Sequence, residues 1–199
     1  MWTAIDSGGT RVIMSIDPVF QLAAALTLAL VFGGGALSKM SAWAELEGVV
    51  ANFRVLPRSL VPAATWILPP VELALAFGVL VPATRVPAAL VMAALLAAFA
   101  LAIAINIGRG RIDIDCGCFR SSLKQNLSWW LVLRNAVLIV VAVTCLLSPV
   151  ARGLGWADNF VAVMAGLAVF IAYLSVGYVT LRVPPTYEDN YERALAQRT

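Results

Sequence analysis

Five stretches of the chain are continuously apolar: approximately Val19 to Ser38, Ser59 to Val81, Val86 to Ile107, Leu127 to Ser148 and Asn159 to Leu181. Clusters of Pro, Arg, Asp or Gly separate them. A hydrocarbon layer roughly 30 Å thick is crossed by about 20 residues at a rise of about 1.5 Å each, a length that every stretch reaches. The apolar positions run on rather than alternate, so the pattern predicts helices and not barrel strands. It predicts an all-α, polytopic membrane bundle of about five transmembrane helices, a core of four plus one. The expected organisation is a single membrane domain over residues 1–199, of which 182–199 form a polar tail. Residues 1–18 carry Asp6, Arg11 and Asp17 without a basic start, an apolar stretch and a small-residue cleavage site. The first helix is therefore expected to act as its own insertion signal.

Composition agrees with that pattern: 61% hydrophobic residues against 13% charged is too apolar for a soluble domain of 199 residues. The net charge of +3 is spread over loops, which argues against nucleic acid as a partner and leaves the lipid bilayer as the surroundings. Threaded through five helices, Arg11, Arg85 and Arg152 fall on one side of the membrane. Lys39, Arg54, Arg58, Arg109, Arg111, Arg120, Lys124, Arg182, Arg193 and Arg198 fall on the other. The richer side is cytoplasmic by the positive-inside rule. A cell (inner or plasma) membrane protein with its N-terminus outside and its C-terminus inside is expected, although four of the ten charges flank a cysteine pair and could serve its chemistry.

Within the third apolar stretch Ala93, Ala97, Ala100 and Ala104 form a stripe at helical spacing, which suits close helix packing, as do Gly33, Gly34 and Gly35 in the first. Pro69 and Pro70 interrupt the second, removing two backbone donors and freeing the carbonyls of Thr65 and Trp66. That predicts a kink, needed either for packing alone or to open an internal polar cavity.

The chain has no histidine, which excludes His-ligated haem, facial-triad iron and a His proton relay. Lys39, Glu72, Asn106, Arg134, Asn135 and three cysteines remain inside or at the edge of the spans. Glu72 and Arg134 are opposite charges in mid-span and are expected to pair, either as a helix clamp or as part of a cavity. Trp130 precedes Arg134 by four residues, a spacing that allows a cation–π contact.

Cys116 and Cys118 flank Gly117 between the third and fourth helices. Two thiols one residue apart close a disulfide only if the backbone between them bends, which glycine permits. Such a tight ring is readily reduced. Arg109, Arg111, Arg120 and Lys124 against Asp113 and Asp115 leave a local excess of positive charge, which favours thiolate. The pair reads as a redox couple, as two inert loop cysteines, or as half of a metal site. The last would need two more ligands, so no metal is assigned. Cys145, deep in the fourth helix, reads as a small buried apolar residue.

Taken in order, Ser38-Lys39, Leu68-Pro69-Pro70-Val71-Glu72-Leu73, Asp115-Cys116-Gly117-Cys118-Phe119, and Trp129-Trp130 followed by Leu133-Arg134-Asn135 resemble the methylamine utilisation protein MauE family, related to the DoxX and DoxD membrane proteins. The resemblance covers about residues 19 to 145. It implies a helical bundle acting in thiol–disulfide redox beside a membrane-attached thioredoxin-like protein of the MauD type. In the methylamine system that work supports disulfide formation in the small subunit of methylamine dehydrogenase, outside the cytoplasm. Carried across, Cys116 and Cys118 are the catalytic redox pair, with Lys39, Glu72, Arg134 and Asn135 as supporting polar positions; Asn106, which the five-helix topology puts on the same membrane half, completes the expected polar pocket. Arg120 departs from the pattern, which has glycine there.

Two readings follow. In the first, Cys116 and Cys118 exchange disulfides with the thioredoxin-like partner in support of another protein's maturation, with a quinone in the polar pocket as the conjectured electron partner. In the second, the chain is a non-catalytic anchor or assembly subunit of a larger membrane complex. A small-solute carrier is a weaker third class, because the chain lacks an internal repeat.

Overall fold

A computed structural model describes residues 15–111 and 127–182, together with 4–5 and 11–12, and describes side chains over 15–111 and 127–176. Six α-helices run through it: α1 Pro18–Met40, α2 Trp43–Phe53, α3 Val61–Gly78, α4 Arg85–Gly108, α5 Trp129–Thr144 and α6 Trp156–Arg182. Four of them, α1, α3 with its leading turn, α4 and α6, are long and apolar enough to cross a bilayer. The fifth, α5, is apolar but has 16 residues. That spans about 24 Å at 1.5 Å per residue, and a run of tight turns over Cys145–Leu147 extends it. The result is the expected polytopic all-α bundle.

Each crossing helix buries a stripe at helical spacing. On α1 it is Gln21, Ala25, Leu28, Phe32 and Gly35; on α3 Val61, Thr65, Pro69, Glu72 and Ala76; on α5 Leu131, Asn135, Leu138 and Ala142. Side chains three and four residues apart share a helix face, so each stripe makes one contact surface. The opposite faces stay exposed and apolar, with Phe20, Trp66, Phe77 and Leu101 all more than 60% accessible. Lipid tails cover such faces without penalty. On α4 the buried stripe is Ala89, Met92, Leu96, Ile103 and Asn106. The alanine stripe read from the sequence lies beside it, and Ala97 is exposed. Larger residues fill the contact where α4 packs along α5 and α3.

The helices alternate in direction. The near end of the bundle holds the start of α1, the α3–α4 turn and the α5–α6 connection; the far end holds α2 and the ends of α4 and α5 that residues 112–126 join. A large apolar cluster from Ala25 and Leu28 through Val79, Ala88, Met92, Ala142 and Cys145 occupies the near half. A smaller one of Ile103, Leu127 and Leu131 closes the far end. At the near end Gln21, 4% exposed, donates to the carbonyls of Cys145 and Leu147 and accepts from Arg85 Nη1 at 3.0 Å. This amide stops α5 at Thr144, four residues short of the expected Ser148. Ser148–Pro149 instead pairs in parallel with Ser15–Ile16. Asp158 accepts from the Gly155 amide, so α6 begins at Trp156, ahead of the expected Asn159.

The 39–58 stretch, which lies between the first two apolar runs, contains α2. Trp43, Leu46, Val50 and Phe53 share one face, Leu46 is buried, and Trp43 stacks on Trp66 of α3 at 4.5 Å between ring centroids. Its apolar face is too short to resemble a membrane span, which is why an apolar-run criterion misses it. α3 continues as one helix through Pro69 and Pro70.

Two outcomes test this packing. A Cβ placed on Gly166 of α6 meets Leu26 Cβ at 3.0 Å and the Ala23 carbonyl at 3.3 Å on α1. Gly166→Val should therefore push α6 from α1 and cost about 1–3 kcal/mol, read as an earlier thermal unfolding midpoint in detergent. At the near end Arg152 bonds to Asp17 and Asp158, and its guanidinium holds the Asp17 carboxyl below its ordinary value of 3.8. A carboxylate depressed in the fold stabilises it above its unfolded pKa and loses that contribution as pH falls through the folded value. The stability gap between wild type and Arg152→Gln should thus be present at neutral pH and close on acidification below about 3.8, as measured by unfolding midpoint against pH.

Candidate functional site

Between the two apolar clusters lies a cavity of about 40 Å³, to which all five long helices contribute. Lys39 and Gly35 come from α1, Glu72 from α3, Phe99 from α4, Arg134 and Asn135 from α5, and Tyr173 from α6. Glu72 and Asn135 reach it because they occupy the buried stripes of their helices, where a leucine would otherwise sit.

Lys39 Nζ donates to both oxygens of Glu72, at 2.7 and 2.6 Å, with the two side chains 12% and 3% exposed. Lys39 is thus an ion-pair partner of Glu72, and Arg134, the expected partner, lines the same cavity. Lys39 can reach inward because four methylenes carry its ammonium back from the last turn of α1. Its ammonium lies 5.7 Å from the Phe99 ring centroid. The Arg134 guanidinium lies 4.8 Å above the ring of Tyr173, a contact to α6 that short-range spacing around Trp130 could not reveal.

Removing water from a charge costs several kcal/mol, and a bidentate partner in a low-dielectric site returns much of it. The cluster thus clamps α1 to α3 and α5 to α6. The cavity has room for a few water molecules at the ~10–15 Å³ each requires. A pocket for a small organic ligand takes about 300 Å³ or more, so the quinone expected here does not fit this cavity as it stands. What the arrangement can do is keep a carboxylate and two cations in contact with trapped water inside the bilayer.

Asn106 does not join this cluster. Fully buried at the far end, it donates from Nδ2 to the carbonyls of Phe53 and Ala102 and accepts from Arg111 Nη1 at 3.3 Å. It fastens the end of α2 to the end of α4. Asn135 Nδ2 donates to the Leu131 carbonyl one turn back. Cys116 and Cys118 lie outside the described residues. Cys145 is fully buried in the near-end cluster, as an apolar residue would be. Sequence reading missed Tyr173 and Phe99; the 159–181 stretch holds two tyrosines, Tyr173 and Tyr178, and nothing in the pattern singles out the first. Among the described residues no group of three or more acidic or cysteine side chains could hold a metal ion.

Breaking one half of the buried pair should cost more than removing both. Glu72→Met is expected to destabilise the protein by about 3–5 kcal/mol, because Lys39 is left without its partner, whereas Lys39→Met with Glu72→Met should recover a large part of that loss. Urea unfolding of the single and double variants in detergent measures the difference, and strict additivity would contradict it.

The family model for methylamine utilisation protein MauE matches residues 17–148. That span contains Lys39, Glu72, Asn106, Arg134, Asn135 and both members of the Cys116–Cys118 pair. The methylamine utilization protein MauE of Paracoccus versutus is 45% identical over 174 residues, 85% of this chain and 94% of its own. The Paracoccus denitrificans protein of that name is 45% identical over 161 residues, 80% of this chain and 87% of its own. In Methylorubrum extorquens the figures are 40% over 159 residues, 79% and 86%. No solved structure matches the chain. With a family model over more than half its length and relatives of this identity over most of it, the chain belongs to the methylamine utilisation protein MauE family.

Proposed function

We propose that the chain is a membrane thiol–disulfide redox protein in which Cys116 and Cys118 cycle between dithiol and disulfide, exchanging with a thioredoxin-like partner to support maturation of another protein. The names of its relatives supply the setting, methylamine utilisation. The observation that carries the reading is how residues 112–126 are tethered. Before them, Arg111 is held to Asn106 through its backbone amide and guanidinium. After them, Leu127 is 3% exposed against Ile103 and Leu131. Both attachment points belong to the bundle's far end, so the cysteine segment is fastened to a rigid frame at each side.

In the exchange, a thiolate of the pair attacks one sulfur of the partner disulfide and releases the other as a thiolate. The second cysteine of the pair then displaces the partner from the mixed disulfide. The pair loses two electrons and two protons, and the partner disulfide gains two electrons and two protons to become a dithiol; the reverse order reduces the pair. The buried charges Lys39, Glu72 and Arg134 support this frame from beneath, and no step runs through a quinone.

We further propose that the pair works at the cytoplasmic face, with the N-terminus outside. The distribution of arginines supports this orientation: Arg85 and Arg152 at the near end are engaged by Gln21, Asp17 and Asp158, and the far end carries the larger cationic surface.

Replacing Cys116 and Cys118 by Ser should leave the protein inserted and its unfolding midpoint unchanged while abolishing the mixed disulfide trapped with a thioredoxin-like partner. Full maturation activity in that variant would sink the redox reading and leave the non-catalytic anchor. A membrane-impermeant thiol reagent should label the reduced pair in inverted vesicles and not in intact cells.

A further inference from the structure

Arg54, Arg58, Arg109 and Arg111 gather where α2 ends, α3 begins and α4 ends. Arg54 closes α2 in a left-handed conformation at φ 47°, and its carbonyl accepts from Arg109 Nη1 at 3.5 Å. Arg111 reaches Asn106, whose amide in turn holds the Phe53 carbonyl beside Arg54. Arg58 starts the turn that leads into α3. The first three are drawn together around one buried amide, and the fourth follows four residues along the chain.

Among the described residues none of these four guanidinium groups has a carboxylate partner, whereas Arg152 is paired with Asp17 and Asp158. At the near end Arg152 is neutralised by Asp17 and Asp158 and Arg85 reaches Gln21 and two carbonyls, whereas the far end brings four arginines together. The residues between and after them are apolar and exposed: Val55, Leu56 and Leu60 are 44%, 42% and 51% accessible.

We infer that this patch binds the phosphate of an anionic phospholipid, whose acyl chains lie against Val55, Leu56 and Leu60. Arg54-Val55-Leu56-Pro57-Arg58-Ser59-Leu60 interleaves cations with exposed aliphatic side chains at the edge of the span that begins at Arg58, a mixture that suits a charged headgroup with apolar chains. An acidic protein surface would satisfy the guanidinium groups but leave those aliphatic residues against polar groups. A zwitterionic lipid would cover the apolar residues and leave the excess charge uncompensated. The inference stands on these residues alone and does not require the redox reading.

The test titrates purified full-length protein in detergent with phosphatidylglycerol and with phosphatidylcholine of the same acyl chains, counting bound lipid by native mass spectrometry. Phosphatidylglycerol should be retained over phosphatidylcholine. Arg54→Gln with Arg58→Gln, whose side chains make no described contact, should weaken that retention about fivefold per arginine and roughly 30-fold together at low salt. Arg152→Gln, at the opposite end, should leave it unchanged. Equal retention of the two lipids overturns the inference, as does an undiminished preference in the double variant or an equal loss in Arg152→Gln. An acidic protein as the true occupant would show as absence of the lipid preference and overturn it likewise. Salt competition on the wild-type chain gives a reading independent of the variants: preference for phosphatidylglycerol should fall with ionic strength, and salt-independent preference overturns the phosphate assignment.

Discussion

A carboxylate and two cations lie in the middle of a bundle whose surroundings offer almost no water. In hydrocarbon such groups persist only when they face one another or a hydrated cavity. Lys39 and Glu72 meet through both carboxylate oxygens, and Arg134 sits on Tyr173 across the same small space. The near-end cluster runs up to this middle layer through Val31, Phe32, Leu96 and Leu138, which line the cavity, and the far-end cluster lies beyond it. All five long helices converge there, each giving at least one lining residue.

The two ends of the bundle treat polar groups differently. At the near end, Gln21, Arg85, Asp17, Arg152 and Asp158 satisfy one another and neighbouring carbonyls, tying the N-terminal segment to the α5–α6 connection. At the far end a buried asparagine ties α2 to α4, and the arginines around it reach neutral oxygens. A closed end and a cationic end are what a protein needs if one face is a structural cap and the other meets charged material. The redox function proposed above would gain from the second setting, since positive potential favours thiolate.

Membership of the MauE family and this internal organisation bear on each other. The matched span ends at residue 148, so it includes Lys39, Glu72, Arg134 and the cysteine pair but not Tyr173. The Arg134–Tyr173 contact is thus made to a helix beyond the family span, while the Lys39–Glu72 pair lies wholly within it.

The sequence by itself determined the bundle, its five long helices and the identity of its unusual residues. Length of apolar run and spacing along a helix are local properties, and hydrocarbon punishes any departure from them. Glu72 was legible as needing a partner because it is a charge in mid-span, and Asn135 only through the family resemblance; the structure puts both in register with a stripe of apolar residues. Only the tertiary structure decided who meets whom. Lys39 reads as a helix-end residue until its flexible stem is seen to carry its charge back to Glu72, and Asn106 reads as part of the pocket until α2 appears beside it. Helix α2 itself escaped, because its apolar face repeats over too few turns to resemble a span. Gln21 likewise gains its meaning from carbonyls more than 120 residues away. Contacts of that kind depend on the lateral order and rotation of helices, which a one-dimensional hydrophobic pattern does not encode.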